Sequence, residues 1–135
     1  MAFLIAGFFV GLAKSQEAAD GLSEKEIDSL QKELVEAGEL SSKTRMRRAY
    51  KSVVRDAEKL LKSFPSATDH YRVLELIFQG QKRLLAQDNS NENRDALLET
   101  CSRLAGAPDE VADLRLEADL LLMERAQSIK KADVK

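Results

Sequence analysis

Lys43-Thr-Arg-Met-Arg-Arg-Ala-Tyr-Lys-Ser-Val-Val-Arg-Asp-Ala-Glu-Lys-Leu-Leu-Lys-Ser63, followed by Phe64-Pro65, is the stretch that decides the fold. Met46, Tyr50, Val53, Ala57, Leu60 and Phe64 recur at alternating steps of four and three. That spacing lines one face of a helix with apolar groups and predicts a seam for a neighbouring helix. Pro65 lacks the amide hydrogen a continuing helix needs, so the helix is expected to end there.

The segments on either side read the same way. Ser23 and Glu26 form a capping box, in which each side chain satisfies a backbone N–H of the first turn. Behind it Ile27, Leu30, Leu34 and Ala37 make a narrow apolar stripe, and Gly38 is expected to close the helix in a left-handed conformation. After Pro65, Ser66 is expected to cap a third helix with Asp69 in its first turn. His70, Leu74, Ile77, Gln81 and Leu84 form its inner row, widened by Val73, Leu76 and Leu85. The polar run Asp88–Asn93 marks a turn. A fourth helix is expected from about Glu92 to Ala105, with Ala96, Leu97, Thr100, Cys101 and Leu104 inward and Gly106 as its stop. Pro108 suits the first position of a fifth helix running to about Lys130.

The fold expected is all-α: about five helices in antiparallel hairpins, arranged as a short solenoid or a bundle. A shift of 43 residues places Pro65 on Pro108, Val54 on Leu97, Leu61 on Leu104, Tyr71 on Leu114 and Ile77 on Leu120. This suggests two related hairpins within 43–135. Composition agrees. The chain has 135 residues, no Trp and two Pro, too few aromatic and turn residues for an all-β domain.

Phe3 to Ala13 is uncharged and apolar. It is too short for the roughly 20 residues a bilayer span requires. Its length and the small residues Ala13 and Ser15 read as a secretory signal peptide over 1–15, cleaved before Gln16, with a buried N-terminal helix and then a retained anchor as the alternatives. No Lys or Arg precedes it, so the amino terminus supplies the positive charge or the true start lies upstream. A capped helix and linker would then occupy 16–42. Export predicts a periplasmic protein with no stable membrane span.

The chemistry the sequence permits is narrow. One Cys rules out an internal disulfide and a Cys-based zinc site. One His argues against most triad and metal-hydrolase arrangements. Asp88, Ser90, Glu92 and Glu99 match part of a calcium-loop frame, but Asn93 replaces its required Gly, and a polar turn with a helix cap at Ser90 or Asn91 is the better reading. Cys101 lies on the apolar row of its helix and reads as a buried thiol. No phosphate-binding Gly loop or nucleophile elbow is present. The expectation is a protein with no catalytic, cofactor or metal site and no small-molecule substrate.

Two surfaces remain. The last helix carries Leu116, Leu120, Leu122 and Met123 beyond its inner row of Val111, Leu114, Ala118 and Leu121. With Ile77 and Phe78, these are the residues expected to bind a protein partner or a second copy. The alternative is a basic face of Arg47, Arg48, Arg55, Lys59 and Lys62 acting in a cytosolic nucleic-acid adaptor. With a formal charge of −2 over the whole chain, nucleic acid takes second place.

The Phe64-Pro65-Ser66 junction, Gln79-Gly-Gln-Lys-Arg-Leu-Leu85 and Ala107-Pro-Asp-Glu-Val111 through Arg125 carry a family resemblance. Over Lys43 to Arg125 the chain resembles the tetratricopeptide-like helical-hairpin regions of exported bacterial proteins. Some of these continue into a thioredoxin-like domain. The resemblance implies a scaffold or adaptor, or the helical N-terminal part of a longer envelope enzyme. No Cys-x-x-Cys is present, so no redox role carries over.

Overall fold

The computed structural model describes residues 24–63 and 69–134. The leader reading, the Ser23 cap and the Phe64-Pro65-Ser66 junction lie outside them. All the regular structure among the described residues is helical: α1 over 24–39, α2 (Lys43–Ser63), α3 (His70–Gln87), α4 (Asn91–Leu104) and α5 (Ala112–Val134), with a 3-10 turn at Asp109–Val111.

The seam of α2 is buried as its spacing predicts. Tyr50, Val53, Ala57 and Leu60 are covered, together with Leu61, while Met46 is half-buried. Against it lies α3, in the opposite direction. A Cβ built on Gly80 would stand 2.7 Å from Val54 Cγ2, so the missing side chain is what lets α2 and α3 approach here. Near the other end of α2, Gln87 Nε2 contacts the Met46 sulfur. Helix α1 packs across both with Ile27, Leu30 and Ala37 inward, and Arg72 of α3 holds Asp28 of α1 at 3.7 Å.

The second hairpin stacks on the first. Arg103 of α4 reaches Glu58 of α2 with two N–H groups, at 2.8 and 3.4 Å. Lys82 of α3 pairs with Glu117 of α5 and lies 5.3 Å from the Phe78 ring centroid. Hence α1, α3 and α5 run one way in one layer, and α2 and α4 run the other way in a second. Helix α3 is the hub, packed by all four others. Its Val73, Leu74, Leu76, Ile77, Phe78 and Leu84 are buried around most of its circumference.

Local chemistry explains the helix ends, with some departures from expectation. Ser90 caps α4, its hydroxyl accepting the Asn93 N–H at 3.2 Å, and Asn93 Nδ2 donates to the Asp88 carbonyl at 2.9 Å. Residues Asn91–Leu104 are therefore helix, and the calcium-loop frame does not form. Gly38 does not close α1 in a left-handed conformation. It sits inside the helix with negative φ, and a Cβ there would stand 3.1 Å from the Tyr50 hydroxyl. Gly106 likewise has no positive φ and nothing within 4 Å. Asp69 precedes α3 instead of lying in its first turn. Pro108 is extended at ψ 169°, so it does not open α5. Its carbonyl instead accepts the Val111 N–H at 3.1 Å, and the 3-10 turn comes first.

The 43-residue correspondence is met at some positions of α2 and α4, missed at others such as Leu60 against Arg103, and fails for α3 and α5. Ala57 and Thr100 are both buried, as are Leu61 and Leu104. Ile77 is 0% exposed whereas Leu120 is 50% exposed. Buried positions match instead at a shift of 41, Val73 with Leu114 and Ile77 with Ala118. The burial pattern of α5 is thus two residues out of step with the one expected from α3.

Candidate interaction surface

Helix α5 is apolar on two opposite sides. Arg115 anchors its start, donating to the Ala107 carbonyl at 2.7 Å and lying 3.3 Å from Asp109. Farther along, Glu117 pairs with Lys82 of α3. Leu114 and Ala118 then point into the core, with Val111, Leu121 and Leu122 packed against it. A residue turns 100° along a helix, so Leu116, Leu120 and Met123 fall together on the far side. They are 59%, 50% and 59% exposed. Every residue from Met123 to Lys130 is exposed, so the end of α5 carries no cover among the described residues.

Three of the six residues expected to bind a partner thus divide from the other three. Leu116, Leu120 and Met123 are on the open row. Leu122 is half-buried on the inner side. Ile77 and Phe78 are at 0% exposure in the centre of the core and offer no surface. The correction follows from the position of α3, which packs on both α2 and α4 and is buried around most of its circumference. Beside the row, between α4 and α5, lies a shallow cleft of about 370 Å³ with Leu98 and Leu121 in its wall and Arg94 and Arg125 among its polar lining. Arg94 is engaged with Asn89 Oδ1 at 2.7 Å.

The basic face of α2 is present. Arg48, Arg55, Lys59 and Lys62 are exposed and Arg47 is half-buried. Arg55 lies 3.5 Å from Asp56 and donates to Ser52 Oγ at 3.3 Å. The other four make no ion pair among the described residues. The face is a solvated stripe without aromatic groups between its cations, since Tyr50 points into the core.

Cys101 is fully buried, and the burial pushes its thiol up from 9.0 to about 11, with the Glu117 carboxylate adding to the effect. At neutral pH it is a protonated core group. His70 is half-buried with its ring edge-on to Tyr71 at 5.2 Å. Among the described residues no three His, Cys, Asp or Glu side chains converge on a point that could hold a metal ion. No described helix is long and apolar enough to cross a membrane. No protein-family model, no curated protein and no solved structure matches the chain. The surface chemistry is therefore the ground on which a function is argued: an all-α protein with an open apolar row on its last described helix.

Proposed function

We propose that the chain is a non-catalytic helical interaction module of an exported bacterial protein, and that it docks another protein through Leu116, Leu120 and Met123. The observation that carries this reading is the pairing of those three exposed side chains with a separate inner side on the same helix, buried at Leu114 and Ala118. A helix that only completes a core keeps its solvent side polar. Burying a Leu or Met fully contributes about 1.5–3 kcal/mol each, so three half-exposed ones offer roughly 3–5 kcal/mol against the entropic cost of association. The two-layer alternation of helices supports the scaffold reading, because stacked hairpins present extended faces.

Oxidation of Met123 by peroxide, followed by mass spectrometry on the dilute native chain, tests the surface. Reaction at the rate of an exposed Met is expected. Slow reaction at every dilution shows that the chain covers its own row and removes the proposal. Intact mass after separating periplasm from cytosol tests export, with loss of Met1–Ser15 expected.

A second reading rests on the cations of α2 that lack partners among the described residues. It makes the chain a nucleic-acid adaptor, and it requires salt-sensitive oligonucleotide binding that weakens on Arg48→Ala and Lys59→Ala.

A further inference from the structure

We propose that the groove between α2 and α4, floored by Gln81 of α3, holds a small zwitterion: an α-amino acid with an apolar side chain. The site is separate from the open row of α5, and its ligand is bound without being converted.

The two helices meet at one end and part toward the other. Glu58 and Arg103 join them near their C-terminal ends. Toward their N-terminal ends a groove of about 300 Å³ opens, a size that suits a compact ligand. Val54 and Ala96 are the apolar part of its walls, and Leu84 is part of its floor. Gln81 completes the floor. It is 8% exposed, and its Oε1 is buried with no donor among the described residues. A buried acceptor left unpaired is costly, so a ligand N–H that reaches it is favoured.

The two rims carry opposite charge. Lys51 and Arg55 stand on α2 and Glu92 on α4, and all three are exposed. Arg55 is engaged with Asp56 at 3.5 Å and with Ser52 Oγ at 3.3 Å. Among the described residues no ion pair joins Lys51 or Arg55 to Glu92, so the cations and the acid face one another across the groove without closing it. Arg48 lies one turn before Lys51 and Glu99 two turns after Glu92, both exposed and both outside the groove. Asn93 Nδ2 is already held by the Asp88 carbonyl at 2.9 Å.

This arrangement selects among ligands. The start of α4 favours an anion, yet a plain anion there meets Glu92. A plain cation meets Lys51 and Arg55. A small molecule with both charges close together avoids both conflicts. Its carboxylate lies toward Lys51 and Arg55, its ammonium donates to Glu92 and to Gln81 Oε1, and its side chain covers Val54, Leu84 and Ala96.

The experiment is a chemical-shift titration of the full chain with L-leucine, N-acetyl-L-leucine and L-leucinamide. These carry both charges, the carboxylate alone and the ammonium alone. Leucine is expected to bind with a millimolar dissociation constant and to move the backbone amides of Val54, Gln81 and Ala96. Each single-charge probe is expected to bind about tenfold more weakly. Glu92→Gln and Lys51→Gln alter exposed side chains, so both keep the helical circular dichroism of the parent. Glu92→Gln weakens leucine and leucinamide and spares N-acetyl-leucine. Lys51→Gln weakens leucine and N-acetyl-leucine and spares leucinamide. Gln81→Leu fills the same space without polar atoms and weakens leucine as Glu92→Gln does. Binding of either single-charge probe as tight as that of leucine overturns the zwitterion. Absence of shifts in the groove at high millimolar leucine overturns the site. Neither failure touches the docking reading of α5, which rests on other residues.

Discussion

Arg103 grips Glu58 with two N–H groups, at 2.8 and 3.4 Å, across the interval between α4 and α2. Both side chains are about one-third exposed. The pair joins helices that are not consecutive in the chain, and it occupies the position where the repeat sets Arg103 against Leu60. Arg103→Ala is expected to lower stability by about 0.5–1 kcal/mol, and Arg103→Lys by nearly as much because Lys has no forked donor. Chemical denaturation of Arg103→Ala, Glu58→Gln and the double variant gives the coupling energy. Strict additivity would show that the pair contributes nothing.

Gly80 is needed for space. Gly80→Ala gains about 1 kcal/mol of helix propensity but drives a Cβ to 2.7 Å from the stiff Val54 side chain. Overpacking of this kind costs about 1–3 kcal/mol. A net loss of about 1 kcal/mol is expected, with recovery when Val54→Ala is added. A lowered melting temperature that Val54→Ala does not restore would place the defect elsewhere.

Gly106 gives the opposite result. It has neither a positive φ nor a neighbour within 4 Å. Gly106→Ala is expected to raise stability by about 0.4–1 kcal/mol through the unfolded chain. A clear loss in thermal denaturation would show that Gly106 is needed where α4 stops.

Ile77 and Leu120 separate core from surface. Ile77→Ala should cost about 2–5 kcal/mol, as a fully buried side chain with little room for collapse. Leu120→Ala should cost the dilute chain less than about 0.5 kcal/mol. Equal losses in urea denaturation at low concentration would mean that Leu120 is covered.

Cys101 predicts an alkaline limit. Its thiol titrates near 9.0 when unfolded and at about 11 when folded. The unfolded state therefore holds fewer protons between these values, and stability falls as pH rises through them. Below the lower value this contribution is constant. The difference in unfolding free energy between the parent and Cys101→Ala should narrow from about pH 9 upward. In the native protein, alkylation at pH 8 should be slow and should accelerate on adding denaturant. Rapid native alkylation would contradict the burial.

Much of the fold is legible in periodicity. The α2 seam, the α1 stripe and the Ser90 cap follow from spacing and from the hydrogen-bonding chemistry of single residues. What pattern alone does not give is the neighbourhood of each face. Ile77 and Phe78 belong to a helix that is apolar nearly all round, and the same pattern describes a hub or an exposed docking helix. Only the number of helices packed about α3 decides between them. Glycine is ambiguous for a similar reason: Gly38 and Gly106 could serve backbone conformation, while Gly80 serves proximity, and one letter stands for both. Leu116, Leu120 and Met123 were visible as surplus apolar residues. Their separation from Leu122 depends on the rotation of α5 that turns Leu114 and Ala118 into the core.

The central position of α3 also governs how the chain is assembled in time. Neighbouring helices in the stack are close in sequence, so loop-closure costs are small and folding should fall in the microsecond-to-millisecond range. No two-layer arrangement exists without α3, so its amides should exchange with solvent only when the whole molecule opens. The uncovered end of α5 should exchange orders of magnitude sooner. The protein is expected to be most rigid along its middle and to loosen toward the helix that carries its open apolar row.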